Sequence, residues 1–207
     1  MARYTGPVCR LCRRSGDKLF LKGMKCYTKC VLDRRPRPPG QHSHRRAKVS
    51  DRGLQLREKQ KARWLYGMLE RQFRKVFEEA EKQPGVTGET LQILLERRMD
   101  NIVYRLGFAD SRSQARQLVR HGHLLLNEHK SNIPSQILKA GDTVSWKANK
   151  LKTEYYKQLL ENIKGKSVPG WLTLDREKMI AKVVSLPTPQ DTEAKYEVKA
   201  IVEYYSR

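Results

Sequence analysis

The chain has 207 residues, 43 of them Lys or Arg against 22 Asp or Glu, which gives a formal net charge of +21 at pH 7. A surface this basic repels itself unless a polyanion neutralises it, which points to nucleic acid as the partner. No stretch approaches the ~18 uninterrupted apolar residues of a membrane span, and an anionic membrane surface would need a basic helix with a continuous apolar face, which the Gly- and Pro-rich N-terminal region does not offer.

In chain order, the opening MARYTGPVCR lacks the apolar core of a signal peptide, so the chain reads as cytosolic and its thiols as reduced. All four cysteines follow within CRLCRRSGDKLFLKGMKCYTKC, as Cys9-x-x-Cys12 and Cys26-x-x-x-Cys30 with thirteen residues between the pairs. That is the layout of a zinc knuckle, in which two tight turns each offer two thiolates to one tetrahedral ion. Four thiolates fill the coordination sphere, so the zinc is structural and leaves no position for substrate. Arg10, Arg13, Arg14, Lys25 and Lys29 crowd the same stretch, and neighbouring positive charge favours the thiolate. Unligated, small apolar cysteines are the alternative. Residues 1–50 carry fourteen Lys or Arg against Asp17 and Asp33, a net of +12, so more than half of the excess charge sits in a quarter of the chain.

In the following segment, VLDRRPRPPGQHSHRRAKVSDRG, Pro36, Pro38, Pro39 and Gly40 forbid regular structure while arginines punctuate it. It reads either as an extended basic strand along a phosphate backbone or as a solvated linker. Ser50-Asp51 then caps a helical pattern of Leu54, Leu65, Met68, Leu69, Phe73, Val76 and Phe77, broken near Gly67 and stopped by Pro84-Gly85. Trp64, Tyr66 and Phe73 fall in its apolar stripes and are assigned to the core rather than to base stacking. Helical periodicity resumes in TGETLQILLERRMDNIVYRLGF and ends at Gly107. Ser111 and Gln114 stand in capping-box spacing, predicting a short helix from Arg112 to His121 stopped at Gly122. Ala115, Leu118 and Val119 share its apolar side. Arg112, Arg116 and Arg120 recur every fourth residue, predicting an exposed row of guanidinium groups for phosphate oxygens, extended by His121 and His123. Two strand-like runs, HLLLN and DTVSW, complete the unit, and the terminal YEVKAIVEYYSR alternates like a strand.

LERRMDNIVYRLGFADSRSQARQLVRHGHLLLN resembles the RNA-binding module shared by the S-four family of small-subunit ribosomal proteins, certain synthetases and pseudouridine synthases. RRPRPPGQH, LREKQK, ERQF and the terminal IVEYYSR extend the resemblance to bacterial members of that ribosomal family over nearly the whole chain, and the cysteines resemble its zinc-bearing branch. The resemblance implies an α+β fold made of a zinc-bound N-terminal segment (1–45), a helical domain (46–98) with a C-terminal return (161–207), and an inserted module of a helix and a small antiparallel sheet (99–160). It implies a primary binder of the five-prime domain of small-subunit ribosomal RNA that acts early in assembly, lies near the messenger entrance, contacts ribosomal protein five and contributes to decoding accuracy. It carries an RNA-contact role onto Arg112, Gln114, Arg116, Arg120, His121 and His123, and onto Arg34, Arg35, Gln41, His42, Arg57 and Lys59, with one Zn2+ on Cys9, Cys12, Cys26 and Cys30. Asn127-Glu128 stands where relatives have Asn-Gly, which disfavours a turn with positive φ at both central residues.

Two other classes remain less well supported. An RNA-modifying or aminoacylating enzyme would need a further catalytic domain, and the sequence shows no Gly-rich phosphate loop or Ser/His/Asp arrangement. A zinc-finger regulator of DNA would need a recognition helix with base-reading side chains.

Overall fold

The computed structural model describes residues 3–41, 49–192 and 195–206. The backbone forms two units, Met1–Gln92 with Glu193–Arg207, and Ile93–Thr192.

The first unit begins with three short helices, α1 (Cys9–Ser15), α2 (Met24–Thr28) and α3 (Val31–Arg34). From Arg35 to Gln41 the chain has no regular structure, as its prolines require, and Arg13 fastens it to α1 by donating from Nε to the Arg37 carbonyl (2.9 Å). Helix α4 (Asp51–Leu65) starts where sequence predicts: the Ser50 hydroxyl accepts the Gly53 N–H at 3.3 Å. After the break at Gly67, α5 (Glu70–Lys82) buries Phe73, Phe77 and Ala80, one stripe at i, i+4 and i+7. Helix α6 (Thr87–Glu96) follows.

The predicted C-terminal strand is instead a helix. Val198–Tyr205 (here αC) packs along α4, and at Gly88 a Cβ would lie 2.7 Å from a Val198 methyl, so only glycine admits αC at this distance. Ile201 is buried, and the Tyr205 ring stacks on Phe77 with centroids 4.5 Å apart. Val198, Ile201 and Tyr205 stand at i, i+3 and i+7, a helical spacing that competes with the alternation of Tyr196, Val198, Ala200 and Val202, and packing decides between the two.

In the second unit the helical run does not continue unbroken from α6. The chain extends at Arg97-Arg98, where the Leu138 N–H donates to the Arg97 carbonyl (2.9 Å) and the Met99 N–H to the Gln136 carbonyl (2.8 Å), before α7 (Met99–Arg105). Helix α8 (Arg112–Arg120) packs on α7; Ser111 caps it by accepting the Gln114 N–H at 3.3 Å. The Gln114 side chain reaches back to the Asp110 N–H (2.9 Å), one residue before the cap. Gly122, at φ 65°, ends the helix in the left-handed conformation that glycine adopts without strain.

Strands β1 (Leu124–Leu126), β2 (His129–Lys130), β3 (Thr143–Trp146), β4 (Leu172–Asp175) and β5 (Ile180–Val183) form one antiparallel sheet in the order β2-β1-β3-β5-β4, and α9 (Glu154–Asn162) lies between β3 and β4 in sequence. The fold is therefore α+β. Val144 of β3 pairs with Ala181 of β5, so the stretch from 161 to 192 belongs to this unit; only the last residues return to the first. The boundaries predicted at 99–160 and 161–207 are corrected accordingly. Met99, Ile102, Ala115 and Val119 from the helices, with Leu106 and Phe108 from the link between α7 and α8, meet Leu124, Val144, Trp146 and Ala181 from the sheet in one core.

The β1–β2 turn also departs from expectation. Asn127 and Glu128 both take positive φ, 48° and 66°, in a two-residue hairpin loop, the pattern of a type I′ turn. Asn127 secures it: its Oδ1 accepts the Thr143 N–H at 2.8 Å and its Nδ2 donates to Asp142 Oδ1 at 2.9 Å. Those bonds hold Glu128 in a conformation that costs a non-glycine residue. Replacing it with glycine should therefore stabilise the fold by about 0.5–1 kcal/mol, net of glycine's larger unfolded-state entropy. Urea denaturation of Glu128→Gly checks this; an unchanged or lower midpoint would contradict the strain.

Candidate nucleic-acid interface

The arginines of α8 do not form the predicted exposed row. Arg116 is only 7% exposed and donates from Nη1 to Asp100 Oδ2 at 2.9 Å. Asp100, itself 4% exposed, also accepts two bonds from Arg98, Nε to Oδ1 at 3.2 Å and Nη2 to Oδ2 at 3.0 Å. Arg112 is half-buried: its Nε donates to Asn101 Oδ1 (2.8 Å) and its guanidinium lies 4.4 Å from the Tyr104 ring centroid. Only Arg120 of the three is exposed. The face that α8 shows to solvent is Ser113, Gln117 and Arg120, continued by His121. The signal that distinguishes Arg116 from Arg120 is the acid at Asp100 in the neighbouring motif.

That motif, LERRMDN, is internal scaffolding. Glu96 is fully buried and takes a bidentate bond from Arg105, Nε to Oε2 at 2.9 Å and Nη2 to Oε1 at 2.8 Å. Asn101 donates to the same carboxylate (2.7 Å), and Arg97 donates to the Leu138 carbonyl (2.9 Å). Each polar residue of the run thus ties α6, α7 or the loop before β3 into the unit.

Gln114 is occupied by the Asp110 N–H and by the Tyr155 hydroxyl at 3.2 Å. The Tyr155 hydroxyl donates in turn to the Phe108 carbonyl (2.7 Å), and burial, then Asp110, push its pKa up to about 12. His121 is exposed; His123 is half-buried between His121 and Trp146, with ring centroids 6.3 and 6.1 Å away. Burial, with Lys150 and His121 adding to it, lowers the His123 pKa, so this ring stays neutral near pH 7 and contributes shape rather than charge.

In the first unit Arg34, Arg35, Gln41 and Arg57 are exposed, and His42 lies outside the described residues. Lys59 departs from the predicted phosphate contact. It is 3% exposed, paired with Glu70, and its Nζ sits 4.8 Å from the Tyr204 ring centroid. Burial alone would raise the Glu70 pKa, but Lys59, the Tyr205 hydroxyl and Arg63 together hold it below the usual range.

Cys9, Cys12, Cys26 and Cys30 are free thiols that line one cavity of about 20 Å³ with Lys22, Lys25 and Lys29. The Lys22 N–H donates to Cys26 Sγ at 3.3 Å. Contrary to the expected effect of the basic neighbours, the Cys12 thiol is pushed up: burial is the largest cause, the Leu19 N–H opposes it, and the other three sulfurs add to it. Among the described residues no group of three or more His, Cys, Asp or Glu side chains stands in metal-holding geometry. No helix among them is long and apolar enough to cross a membrane.

The Asp100 cluster makes a direct prediction. Asp100→Ala leaves two buried guanidinium groups without their carboxylate and should destabilise the second unit by about 3–5 kcal/mol in urea unfolding. A loss below about 1 kcal/mol, the scale of an exposed pair, would show the cluster to be peripheral.

Residues 3–96 match the family model described as "Ribosomal protein S4/S9 N-terminal domain", and residues 97–144 match the "S4 domain". The chain is 56% identical over 207 residues to a protein of Dehalococcoides mccartyi (strain CBDB1), and 53% identical over 208 residues to one of Halothermothrix orenii (strain H 168 / OCM 544 / DSM 9562). A protein of Pelotomaculum thermopropionicum (strain DSM 13744 / JCM 10971 / SI) is 54% identical over 208 residues. Each match covers 100% of both chains, and each relative is named "Small ribosomal subunit protein uS4". The matches to both successive family models and the end-to-end identity agree, and the chain belongs to the small ribosomal subunit protein uS4 family of ribosomal proteins.

Proposed function

We infer that this chain is a structural, non-enzymatic constituent of the small subunit of the cytoplasmic ribosome and is held there by ribosomal RNA. The observation that carries the RNA role is the division of its cations. Arg98, Arg105, Arg116 and Lys59 are consumed in buried pairs, while Arg34, Arg35, Arg57 and Arg120 stand in solvent on a chain of net charge +21. Within each unit, elements that hold exposed guanidinium groups in place suit a folded RNA, which displays phosphates and 2′-hydroxyls at fixed positions.

The finer reading follows the resemblance: a primary binder of the five-prime domain, beside ribosomal protein five and the messenger entrance, contributing to decoding accuracy. The contact residues proposed are Arg34, Arg35, Gln41, Arg57, Arg112, Arg120 and His121, with His42 carried by the resemblance alone. Gln114, Arg116, His123 and Lys59 act behind this surface, as positioning residues.

The reading includes one structural Zn2+. Four thiols and no carboxylate line the small cavity, a donor set that suits zinc, and the Lys22 N–H is placed to stabilise a charged sulfur. When bound, zinc supplies cross-linking between α1 and the stretch from Cys26 to Cys30, a region with little apolar core of its own.

Equilibrium binding to five-prime-domain RNA and to an unrelated structured RNA of equal length, across a salt series, tests both parts. Counterion release weakens nonspecific binding to both RNAs together as salt rises. The expected result is a large preference for the ribosomal RNA at physiological salt and one zinc per chain. Chelation should weaken that binding and loosen residues 1 to about 45 while the helices from α4 onward persist. Parallel loss for both RNAs would contradict specific recognition, and unchanged affinity and circular dichroism after chelation would contradict the zinc.

A further inference from the structure

A second feature of the first unit joins Arg57, already proposed as an RNA contact, to neighbours with no functional role so far. Arg14 at the end of α1 and one face of α4, comprising Leu56, Arg57, Gln60 and Trp64, enclose with Val49 an open cavity of about 360 Å³. That volume falls at the small end of the roughly 300–1,000 Å³ range of clefts that hold small organic groups. Sequence assigns Trp64 to the core, yet the side chain is only half-buried and forms a wall of this cavity, and Leu56 is 38% exposed within it.

Its chemistry is specific in charge. Arg14 and Arg57 are exposed and make no hydrogen bond or ion pair with the described residues. Among the described residues no acid lines the cavity. Of the carboxylates nearby in sequence, Asp17 and Glu58 are both taken by Lys61 at 2.7 Å, and Asp51, in the first turn of α4, is not part of the lining. Gln60 Oε1 accepts from Arg63 Nε at 2.7 Å, so its amide group remains a donor. The cleft thus offers one aromatic plane, aliphatic walls, an amide donor and two uncommitted guanidinium groups. A flat heteroaromatic ring joined to an anion is the complementary ligand, and an unstacked nucleotide has that composition.

We propose that this cleft receives one unstacked nucleotide of the ribosomal RNA, its base against Trp64 and its phosphate between Arg14 and Arg57. The proposal rests on the RNA-binding reading above and adds to it a discrete base pocket in the helical unit. An acidic peptide is the competing occupant: it would use the two arginines but would gain little from the indole plane.

The test uses the full chain and five-prime-domain RNA at fixed salt, comparing wild type, Trp64→Phe and Trp64→Leu. Leucine keeps an apolar wall but has no π face, whereas phenylalanine keeps one. Stacking predicts affinity reduced roughly tenfold for Trp64→Leu and by less than about threefold for Trp64→Phe, with the slope of log affinity against log salt unchanged in both. In wild type, RNA substituted with 5-iodouridine should photocrosslink to the tryptic peptide that carries Trp64, an outcome that stands even where a variant folds poorly. Equal affinity for all three proteins, equal losses for both variants, or crosslinks only to other peptides would overturn the pocket. A wild-type chain that does not distinguish the ribosomal RNA from a control RNA would overturn the RNA-binding reading itself.

Discussion

A buried carboxylate shared by two arginines sets the geometry of the second unit. Asp100 lies between Arg98 and Arg116, and a few residues away Glu96 is clasped by Arg105 and Asn101. Burying five charged side chains is costly in itself, and the cost is offset only where each charge meets its partner in good geometry. An apolar contact tolerates a small slide or rotation; a bidentate ion pair does not. The two clusters therefore hold the last turn of α6, from Ile93, with α7 and α8 in one register, and the packed core beneath them adds cohesion.

The same constraint decides which cations meet a partner. With Arg116 turned inward, α8 can present only Ser113, Gln117 and Arg120 to solvent, and His121 at its end. In the first unit Lys59 plays the corresponding internal part, joining α4 to Glu70 at the start of α5 under the tyrosines of αC. High net charge thus comes from two populations: cations that fix elements in place, and cations that those elements display. The functional argument depends on separating them, because a polyanion can neutralise only the second.

Much of this was legible in the residues. The Ser50 and Ser111 caps, the break at Gly67, the stop at Gly122 and the apolar side of α8 are local signals, and local hydrogen bonds and periodicity enforce them. The paired cysteine spacing brings four thiols to the lining of one cavity, though not in metal-holding geometry among the described residues. What sequence missed depends on distant partners. Arg116 looks like Arg120 until Asp100 is placed beside it. Val198–Tyr205 alternates like a strand but becomes a helix against α4. Asn127-Glu128 accepts an unfavourable turn because Asp142 and Thr143 bind the asparagine, and β5 joins β3 across the intervening residues 147–179, which contain a helix. Trp64 sits on an apolar stripe, yet its neighbours leave one side of it open.

The central claim is that one helix carries both kinds of arginine four residues apart, and a paired measurement on Arg116→Ala and Arg120→Ala tests it most directly. For each variant, the thermal midpoint and the affinity of the folded protein for five-prime-domain RNA are read side by side. The account predicts that Arg116→Ala lowers the midpoint by roughly 5–10 °C and leaves affinity nearly unchanged. Arg120→Ala should keep the midpoint within about 1 °C and weaken binding about three- to tenfold, as loss of an exposed phosphate contact does. An Arg116→Ala protein of unaltered midpoint and diminished RNA affinity would contradict the division on which the account stands.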